Sequence, residues 1–161
     1  MNAISAASSL EKPKTYRAIF YGGLIAGALD ILAAFVNSGL RGVSPTRVLQ
    51  AIASGLLGAE AFEGGFTTAA LGLVLHLFIA TTATAVYYAA SRKLKMLVDH
   101  AVVCGLAYGI PVYVVMNLIV LPLSAVPFKL SYAPGKVIID TLILMLCVGL
   151  PIGLFVRRHS K

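Results

Sequence analysis

Residues 66–90 read FTTAALGLVLHLFIATTATAVYYAA and include no Asp, Glu, Lys or Arg. A helix needs about 20 mostly apolar residues to cross roughly 30 Å of hydrocarbon, so this stretch is long enough to span a membrane. Three further stretches share its length and apolar character, namely residues 18–37, 98–121 and 137–156. The sequence therefore predicts an all-α bundle of four transmembrane helices, with residues 18–156 forming a single transmembrane domain.

The composition of the whole chain excludes the common classes of water-soluble protein. Of its 161 residues, 59% are apolar and 12% are charged, whereas a soluble domain has about 25% charged residues. A soluble domain of this size leaves about 30% of its extended-chain surface in water, and this chain has too few polar residues to cover that surface. An ordinary soluble enzyme, a disordered chain and a disulfide-stapled secreted module are thereby excluded, and the predicted surroundings are a lipid bilayer.

Positive charge is distributed unequally between the two sides of the predicted bundle. Nine of the 13 Lys and Arg residues lie on the side of the termini: Lys12, Lys14, Arg17, Arg92, Lys93, Lys95, Arg157, Arg158 and Lys161. The other four are Arg41, Arg47, Lys129 and Lys136. Because positively charged loops stay in the cytoplasm, both termini are predicted to be cytoplasmic. The net charge is +7, and the Lys and Arg residues form short clusters without interleaved aromatic residues. No nucleic-acid partner is therefore predicted.

The segments outside the four spans are predicted to differ in order. Residues 1–17 are small and polar near their start and are predicted to be a disordered cytoplasmic N-terminus, and residues 157–161 a cytoplasmic tail. In the first outer loop, Ser44 and Pro45 form a helix start. Apolar residues then recur at helical spacing: Val48, Leu49, Ile52, Leu56 and Leu57. We expect a short amphipathic helix here, and two placements stay open, on the outer membrane surface or folded back against the bundle.

A shift of 82 positions aligns several features of the two halves of the chain. The aligned pairs are Gly23 with Gly105, Gly27 with Gly109, Pro45 with Pro127 and Arg47 with Lys129. Both halves would enter from the cytoplasm, so a duplication would be a parallel repeat. Glycine-rich apolar helices also align by chance, and both interpretations stay open.

Three of the predicted spans contain the pattern Gly-x-x-x-Gly. The pairs are Gly23 with Gly27, Gly105 with Gly109, and Gly149 with Gly153, and the second span has Ala85 and Ala89 at the same spacing. Small residues let helix backbones approach closely, which matters because lipid provides no hydrophobic force between helices. All these pairs fall in the half of the spans nearer the cytoplasm. We therefore expect tight helix packing there, either within one chain or between copies of it.

Two of the predicted spans contain a proline. Pro111 lies in the third span and Pro151 in the fourth. Proline lacks an N–H, and its ring clashes with the carbonyl four residues earlier. We expect a kink at each proline and a freed carbonyl that a neighbouring group must satisfy.

Aromatic residues lie near both ends of the predicted spans. Tyr87 and Tyr88 lie near the inner end of the second span, and Phe128 and Tyr132 lie in the second outer loop. Tyrosine and similar rings favour the boundary between membrane and water, so these four are interpreted as interfacial anchors.

Four polar residues inside the predicted spans are candidates for a functional role: Asp30, His76, Asn117 and Asp140. A charged group at mid-bilayer costs at least about 2.5–3.5 kcal/mol, so such a group usually faces the bundle interior or a water-filled cavity. At 1.5 Å per residue, Asp30 lies about 18 Å from the cytoplasmic edge and His76 about 15 Å from the outer edge, at one level. Asn117 and Asp140 lie about 5 Å below the outer edge. The sequence thus predicts a bundle that is hydrated in its outer half and closed in its glycine-rich inner half.

These four residues allow three interpretations. In the first they are structural: Asp30 is protonated or bonded to His76, Asn117 bonds neighbouring helices, and Asp140 pairs with Lys136. In the second, Asp30 and His76 relay protons or cations, since histidine titrates near neutral pH. In the third, they bind a lipid or a small ligand.

No motif of a known catalytic site occurs in the chain. The nucleophile-elbow, zinc-protease and phosphate-loop patterns are absent from the sequence. Glu60 and Glu63 stand three residues apart in the first outer loop, where they either bind a divalent cation or are simply solvated. Cys104 and Cys147 lie in apolar segments without metal-ligand spacing and are interpreted as buried free thiols. We therefore predict no enzymatic activity, no cofactor and no metal site.

Four stretches of the chain together carry a family resemblance: GGLIAGALDILAAF, SPTRVLQAIASGLLGAEAF, LGLVLHLFIATTATAVYYAASR and LAYGIPVYVVMNLIVLPLS. They resemble a group of small bacterial inner-membrane proteins that have four spans and no assigned activity. The chain is also similar, more loosely, to the YagU-type inner-membrane family in size and in its glycine-rich spans. The resemblance implies a bacterial inner-membrane location and implies no reaction, ligand or functional residue.

The sequence leaves two functional hypotheses. The first is a non-catalytic membrane protein that acts through helix contacts, as a homo-oligomer or as an accessory subunit of a larger membrane complex. The repeated glycine spacing and the lack of catalytic motifs favour it. The second is a small channel or carrier for protons, cations or another solute that uses Asp30 and His76.

Overall fold

The structure is a computed structural model that describes residues 3–129 and 132–160, with side chains from residue 16 onward. Within these ranges it consists of helices and connecting turns and contains no strand. Its main helices are α1 (Ala3–Gly39), α2 (Pro45–Leu57), α3 (Gly65–Ser91), α4 (Met96–Asp99), α5 (Ala101–Leu123) and α6 (Pro134–Ser160). A short 3₁₀ turn, Gly58–Phe62, joins α2 to the segment before α3.

Four helical segments are long and apolar enough to cross a membrane: Tyr16–Gly39, Gly65–Ser91, Ala101–Leu123 and Pro134–Ser160. The predicted all-α, four-span architecture is confirmed, and the protein is a multi-pass membrane protein. Successive spans alternate in direction. The bundle therefore has a terminal end, where Tyr16, α4 and Ser160 lie, and a loop end, where Gly39, α2 and Pro134 lie.

The structure differs from the sequence prediction at both ends of the chain. Helix α1 begins at Ala3, so the segment predicted to be disordered is helical from residue 3 to residue 17. Residues 1 and 2 lie outside the described part. Residues 3–17 contain several strong helix formers. A helix that extends an existing span also needs no new nucleation. Similarly, the predicted tail is helical as far as Ser160, and Lys161 lies outside the described residues.

The spans form two antiparallel pairs, α1 with α3 and α5 with α6, which join toward the terminal end. There α6 packs against all three other spans. The buried core lies at this junction and consists of Ala18, Ala26, Tyr87, Tyr88, Val148, Ile152 and Val156. Toward the loop end, the segment Pro134–Ile143 of α6 contacts α5 but, among the described residues, makes no extensive contact with α1. The two pairs therefore diverge toward the loop end.

The glycines of α1 lie against α3. A methyl group added at Gly23 would lie 2.6 Å from the Cα of Thr81, and one at Gly27 would lie 3.0 Å from a methyl of Leu77 and 3.1 Å from the Cβ of Ala80. The α3 surface that meets α1 therefore includes Ala80 and Thr81. The small residues predicted for this role on α3 were Ala85 and Ala89, and Ala89 is exposed.

The glycines of α5 and α6 lie against each other. A methyl group at Gly105 would lie 2.8 Å from the carbonyl oxygen of Gly149, and one at Gly153 would lie 3.0 Å from the Cα of Gly105. A methyl group at Gly109 would collide with the backbone of Met145. All three glycine pairs thus pack helices of the same chain. In each half, the glycines of the first span lie against the returning span, which is the arrangement that a parallel repeat would have.

Two wide, π-helical turns interrupt the second pair of spans. They cover Met116–Val120 in α5 and Leu144–Gly149 in α6, and each ends two residues before a proline, Pro122 or Pro151. Widening the helix moves the preceding carbonyls away from the proline ring, which would otherwise clash with the carbonyl four residues earlier. Pro111, which was expected to kink α5, lies within regular α-helix. The local distortions therefore precede Pro122 and Pro151.

The tyrosines near the terminal end belong to the core. Tyr87 is 1% exposed and Tyr88 is 9% exposed. The Tyr87 hydroxyl donates a hydrogen bond to the Leu97 carbonyl at 3.0 Å, and its ring packs edge-on against Tyr108 with centroids 4.9 Å apart. The interpretation of Tyr87 and Tyr88 as interfacial anchors was wrong, because α4 and the end of α6 extend the bundle beyond them.

Candidate functional site

Helix α2 is folded back against the bundle. The Ser44 hydroxyl accepts the backbone N–H of Arg47 at 3.3 Å, and Pro45 occupies the first turn, which confirms the predicted helix start. A methyl group added at Gly72 of α3 would collide with the carbonyl oxygen of Leu49 in α2. Backbone contact this close fixes α2 on the outer part of α3. Of the two placements that the sequence left open, the structure shows the folded-back one.

Polar contacts join α2 to two different spans. The Gln50 amide, which is 5% exposed, donates to the Gly65 carbonyl at the start of α3 at 3.1 Å. Five residues later, near the end of α2, the Gly55 carbonyl accepts the backbone N–H of Ala125, just after α5, at 2.9 Å. Helix α2 therefore crosses the loop end of the bundle from α3 to α5 and bridges the gap between the two pairs of spans.

A cavity of about 630 Å³ lies beneath α2, between the diverging pairs of spans. Its volume falls in the range of small-molecule sites, about 300–1,000 Å³. Its walls are mainly apolar and include Val48, Ile52 and Leu56 of α2, Ile31 and Ala34 of α1, Leu75 and Ile79 of α3, and Val120 and Leu121 of α5. Its polar lining consists of Asp30, His76, Asn117, Ser124, Lys129 and Lys136. Three of the four polar residues singled out from the sequence line this one cavity.

Asp30 and His76 face each other across the interface between α1 and α3. His76 Nε2 lies 3.8 Å from Asp30 Oδ2, and their side chains are 14% and 20% exposed, respectively. The same nitrogen lies 2.9 Å from the Gly27 carbonyl oxygen. Because a carbonyl can only accept, this contact assigns the proton to Nε2. The lack of a side chain at Gly27 gives the imidazole access to that carbonyl.

The Asp30 carboxylate makes no hydrogen bond with any of the described residues. Its nearest charged partner, His76, lies beyond hydrogen-bond distance and already donates to Gly27. A carboxylate inside a membrane that lacks donors costs several kcal/mol. Residues that retain such a cost usually have a functional reason. The cavity is the space from which a water molecule or a ligand can donate to Asp30.

The other two intramembrane polar residues have partners within the chain. The Asn117 amide donates to the Tyr113 carbonyl at 3.0 Å, one turn earlier in α5. Asp140 is paired with Lys136, four residues earlier in α6. Asn117 and Lys136 both line the cavity. Asp30 and His76, which were predicted to lie at one level, contact each other directly.

Lys129 lies at the loop end of the cavity and has no partner among the described residues. Its side chain is exposed, and no hydrogen bond or ion pair joins it to another residue in that part of the chain. Lys136, in contrast, is held by Asp140. Within the described ranges, the cavity thus has an unpaired cation at its mouth and an unbonded carboxylate deep inside. In the sequence, Lys129 is a loop charge and the counterpart of Arg47 in the possible repeat, and neither feature indicates that it lines a cavity.

Below the Asp30–His76 level, the polar side chains are bonded within the bundle. The hydroxyls of Thr81 and Thr84 donate to carbonyls of their own helix at 2.7 and 2.9 Å, respectively. The Tyr108 hydroxyl donates to the Ala83 carbonyl at 2.9 Å and joins α5 to α3. Together with the glycine contacts, these bonds close the bundle toward its terminal end. The cavity therefore opens toward the loop end.

The remaining sequence candidates do not converge on a second site. Glu60 lies in the 3₁₀ turn and Glu63 follows it, and both are exposed. Within residues 3–129 and 132–160, no three His, Cys, Asp or Glu side chains group closely enough to hold a metal ion. Cys104 and Cys147 are free thiols in α5 and α6.

Comparisons with protein-family models, with curated protein sequences and with solved structures find no significant match.

Proposed function

We propose that this protein is a small carrier that takes a solute into the cavity between its two pairs of spans, with Asp30 and His76 as the deepest binding groups. The observation that carries the proposal is a cavity of about 630 Å³ that ends at an intramembrane carboxylate without a hydrogen-bond donor among the described residues. Intramembrane ionisable groups typically mark substrate or ion pathways. The role is binding and translocation, without catalysis.

The proposed location is a bacterial inner membrane, with both termini in the cytoplasm. Support comes from the charge distribution, since nine of the 13 Lys and Arg residues lie at the terminal end. The resemblance of residues 18–124 to four-span inner-membrane proteins agrees with this location. With this orientation the cavity opens to the periplasm, and the glycine contacts close the cytoplasmic side.

A carrier accounts for the closed terminal end better than a channel does. A channel needs one continuous pathway, whereas a carrier alternates between states that are open to one side at a time. The structure then corresponds to the outward-open state. An inward-open state would require the α1–α3 and α5–α6 pairs to separate at the terminal end, where the core now joins them.

Cysteine accessibility tests this proposal without knowledge of the solute. In a background with Cys104→Ala and Cys147→Ala, the Ala34→Cys variant places a thiol on the cavity wall. Val36→Cys is the matched control, because Val36 lies on the same helix two residues away and its side chain is 67% exposed on the outside of the bundle. A membrane-impermeant maleimide is added to intact cells and, separately, to inverted membrane vesicles.

The carrier proposal predicts labelling of Ala34→Cys from both sides of the membrane, faster from the periplasm, and no labelling of Val36→Cys. Thiols that face lipid do not ionise and react slowly. Labelling of Ala34→Cys from the periplasm alone would contradict the carrier proposal. It would indicate a protein that binds a solute from the periplasm without transporting it. Failure of labelling from either side would contradict a hydrated cavity altogether.

Assembly into homo-oligomers or with a partner subunit stays a prediction from the sequence. The three glycine pairs that motivated it lie between helices of one chain. Any contact between copies would therefore have to use other surfaces of the spans.

A further inference from the structure

The cavity carries two charged groups of opposite sign that make no hydrogen bond within the described part of the chain, although Asp30 has His76 Nε2 at 3.8 Å. Asp30 lies at the deep end and has no hydrogen-bond donor among the described residues, and Lys129 lies at the mouth and has no acceptor there. The other charged groups of the cavity are engaged, since Lys136 pairs with Asp140 and His76 donates to Gly27. A ligand that satisfies this site therefore donates a hydrogen bond to Asp30 at the deep end and accepts one from Lys129 at the mouth.

The depth of Asp30 below the loop end, where Lys129 lies, sets the distance that a ligand has to bridge between the two groups. Asp30 lies nine residues before Gly39, the end of α1, which at 1.5 Å per residue places it about 13 Å below the loop end. The flexible Lys129 side chain can reach a few Å inward. By this helix-rise estimate, a ligand that touches both groups is about 10 Å long between its two charged ends.

The walls between these charges are apolar. They include Ile31 and Ala34 on one side, Val48 and Ile52 under α2, and Leu121 on α5. Apolar surface that leaves water contributes about 25 cal/mol per Å² to binding. An inorganic ion would bury no such surface, and a compact α-amino acid is too short to reach both charges. An elongated molecule with an apolar middle fits the whole length.

We infer that the solute is a linear zwitterion, with an amino group at one end, a carboxylate at the other and an unbranched apolar chain of about 10 Å between them. The amino group donates to Asp30, the chain lies along Ile31, Ile52 and Leu121, and the carboxylate binds Lys129. This inference rests on the proposed carrier function and names the substrate class of the same cavity. The compound 8-aminooctanoate has these features and serves as the probe.

Binding is measured with the full-length protein in lipid nanodiscs. The chain contains no Trp, so a Phe128→Trp variant provides a single fluorophore at the mouth of the cavity, where Phe128 is part of the lining. The probes are 8-aminooctanoate, octanoate, octylamine and the shorter zwitterion 4-aminobutanoate. Calorimetry on the unsubstituted protein verifies that the reporter substitution does not create the signal.

The inference predicts that 8-aminooctanoate binds about tenfold or more tightly than each of the other three probes, because each of them leaves one of the two charges unpaired or fails to span the site. Asp30→Asn should remove the preference over octanoate. Lys129→Gln should remove the preference over octylamine. Lys95→Gln, at the terminal end, is the matched control for loss of a positive charge and should leave all four affinities unchanged.

The outcomes separate this inference from the carrier proposal. Equal binding of octanoate and 8-aminooctanoate, or a preference that survives Asp30→Asn, would overturn the inference. So would absence of binding by all four probes in protein whose Ala34→Cys variant is labelled from both sides, and the carrier proposal would then still stand. Thermal melting of each variant in nanodiscs verifies that it is folded.

Discussion

His76 of α3 turns its Nε2 toward Asp30 of α1 at a distance of 3.8 Å, and the same nitrogen is held by the Gly27 carbonyl at 2.9 Å. One member of the pair is thus fixed by the backbone, while the other depends on the cavity for its hydrogen bonds. This asymmetry distinguishes the site from a simple structural ion pair, in which both partners would be satisfied within the chain.

Asp30→Asn should make the protein more stable. The substitution preserves the side-chain shape and removes a charge that costs at least about 2.5 kcal/mol near mid-bilayer and that receives no hydrogen bond from any described residue. We expect an increase of about 1 kcal/mol or more in the free energy of unfolding, which in a chain of this size raises the melting temperature by about 2–4 °C per kcal/mol. Thermal unfolding in nanodiscs measures it.

The control for this prediction is Asp99→Asn, which removes a carboxylate from the last residue of α4, outside the spans. It should leave the melting temperature within about 1 °C, as is usual for surface substitutions. A clear loss of stability in Asp30→Asn would show that the carboxylate is a structural group, and the functional interpretation of the cavity would lose its basis.

The four spans and the common level of Asp30 and His76 follow from simple physical regularities. An apolar run of sufficient length has one favourable placement in a bilayer, and a fixed rise per residue then sets the depth of each polar group. Because α1 and α3 are adjacent spans and antiparallel, two residues at the same depth can meet. The sequence therefore predicted the common level that makes the contact between Asp30 and His76 possible, while the contact itself was one of the alternatives left open.

The position of α2 could not be predicted in the same way. Periodicity identifies the apolar face of residues 45–57 but does not distinguish lipid from protein as its partner. The deciding feature is Gly72, whose missing side chain admits the Leu49 carbonyl. Glycine is frequent in membrane spans, so a lone glycine in the sequence does not identify that contact. The role of Lys129 depends on the same placement, because α2 forms one wall of the cavity.

Gly72→Ala should detach α2 from α3. The added methyl group would collide with the Leu49 carbonyl, and a backbone group cannot move aside as a flexible side chain can. We expect faster hydrogen exchange of the amides in residues 45–57, with the exchange of α5 and α6 unchanged. Mass spectrometry after exchange in nanodiscs resolves these segments.

The matched control is Gly55→Ala within α2, where an added methyl group would have only an ordinary contact of 3.7 Å with Ser124. It should leave the exchange of residues 45–57 unaltered or slower, because alanine also favours the helix. Unchanged exchange in Gly72→Ala would mean that α2 does not rest on α3.

Gly149→Ala should destabilise the single chain. The added methyl group would collide with the Gly105 carbonyl and force α5 and α6 apart near the core. Overpacking of this kind typically costs about 1–3 kcal/mol. Gly135→Ala is the control, because a methyl group there has no neighbour within 4 Å among the described residues. Thermal melting gives the stability, and native mass spectrometry of the same samples gives the number of chains per particle.

This pair of variants also bears on assembly. If Gly149 packs only within the chain, Gly149→Ala lowers the melting temperature without changing the number of chains per particle. A change in that number at unaltered stability would show that the glycine lies between copies, which the packing of Gly149 against Gly105 argues against.

Tyr132→Phe should destabilise the protein in a way that depends on Pro122. In the wide turn before Pro122, the Leu121 N–H bonds the Met116 carbonyl five residues earlier. The next carbonyl, that of Asn117, would be bonded by residue 122, but proline has no N–H. The Tyr132 hydroxyl donates to the Asn117 carbonyl at 2.9 Å instead. Removing the hydroxyl should cost about 0.5–1.5 kcal/mol.

Pro122→Ala supplies the missing N–H, so Tyr132→Phe should cost less in that background than in the natural sequence. A double-mutant cycle of thermal unfolding measures the difference, and interacting groups of this kind typically differ from additivity by about 0.5 kcal/mol or more. Tyr21→Phe, at an exposed tyrosine of α1, controls for the general effect of removing a phenol. Equal costs of Tyr132→Phe in both backgrounds would mean that the hydroxyl does not replace the N–H that proline lacks. The loop after α5 would then be held to the mouth of the cavity by other contacts.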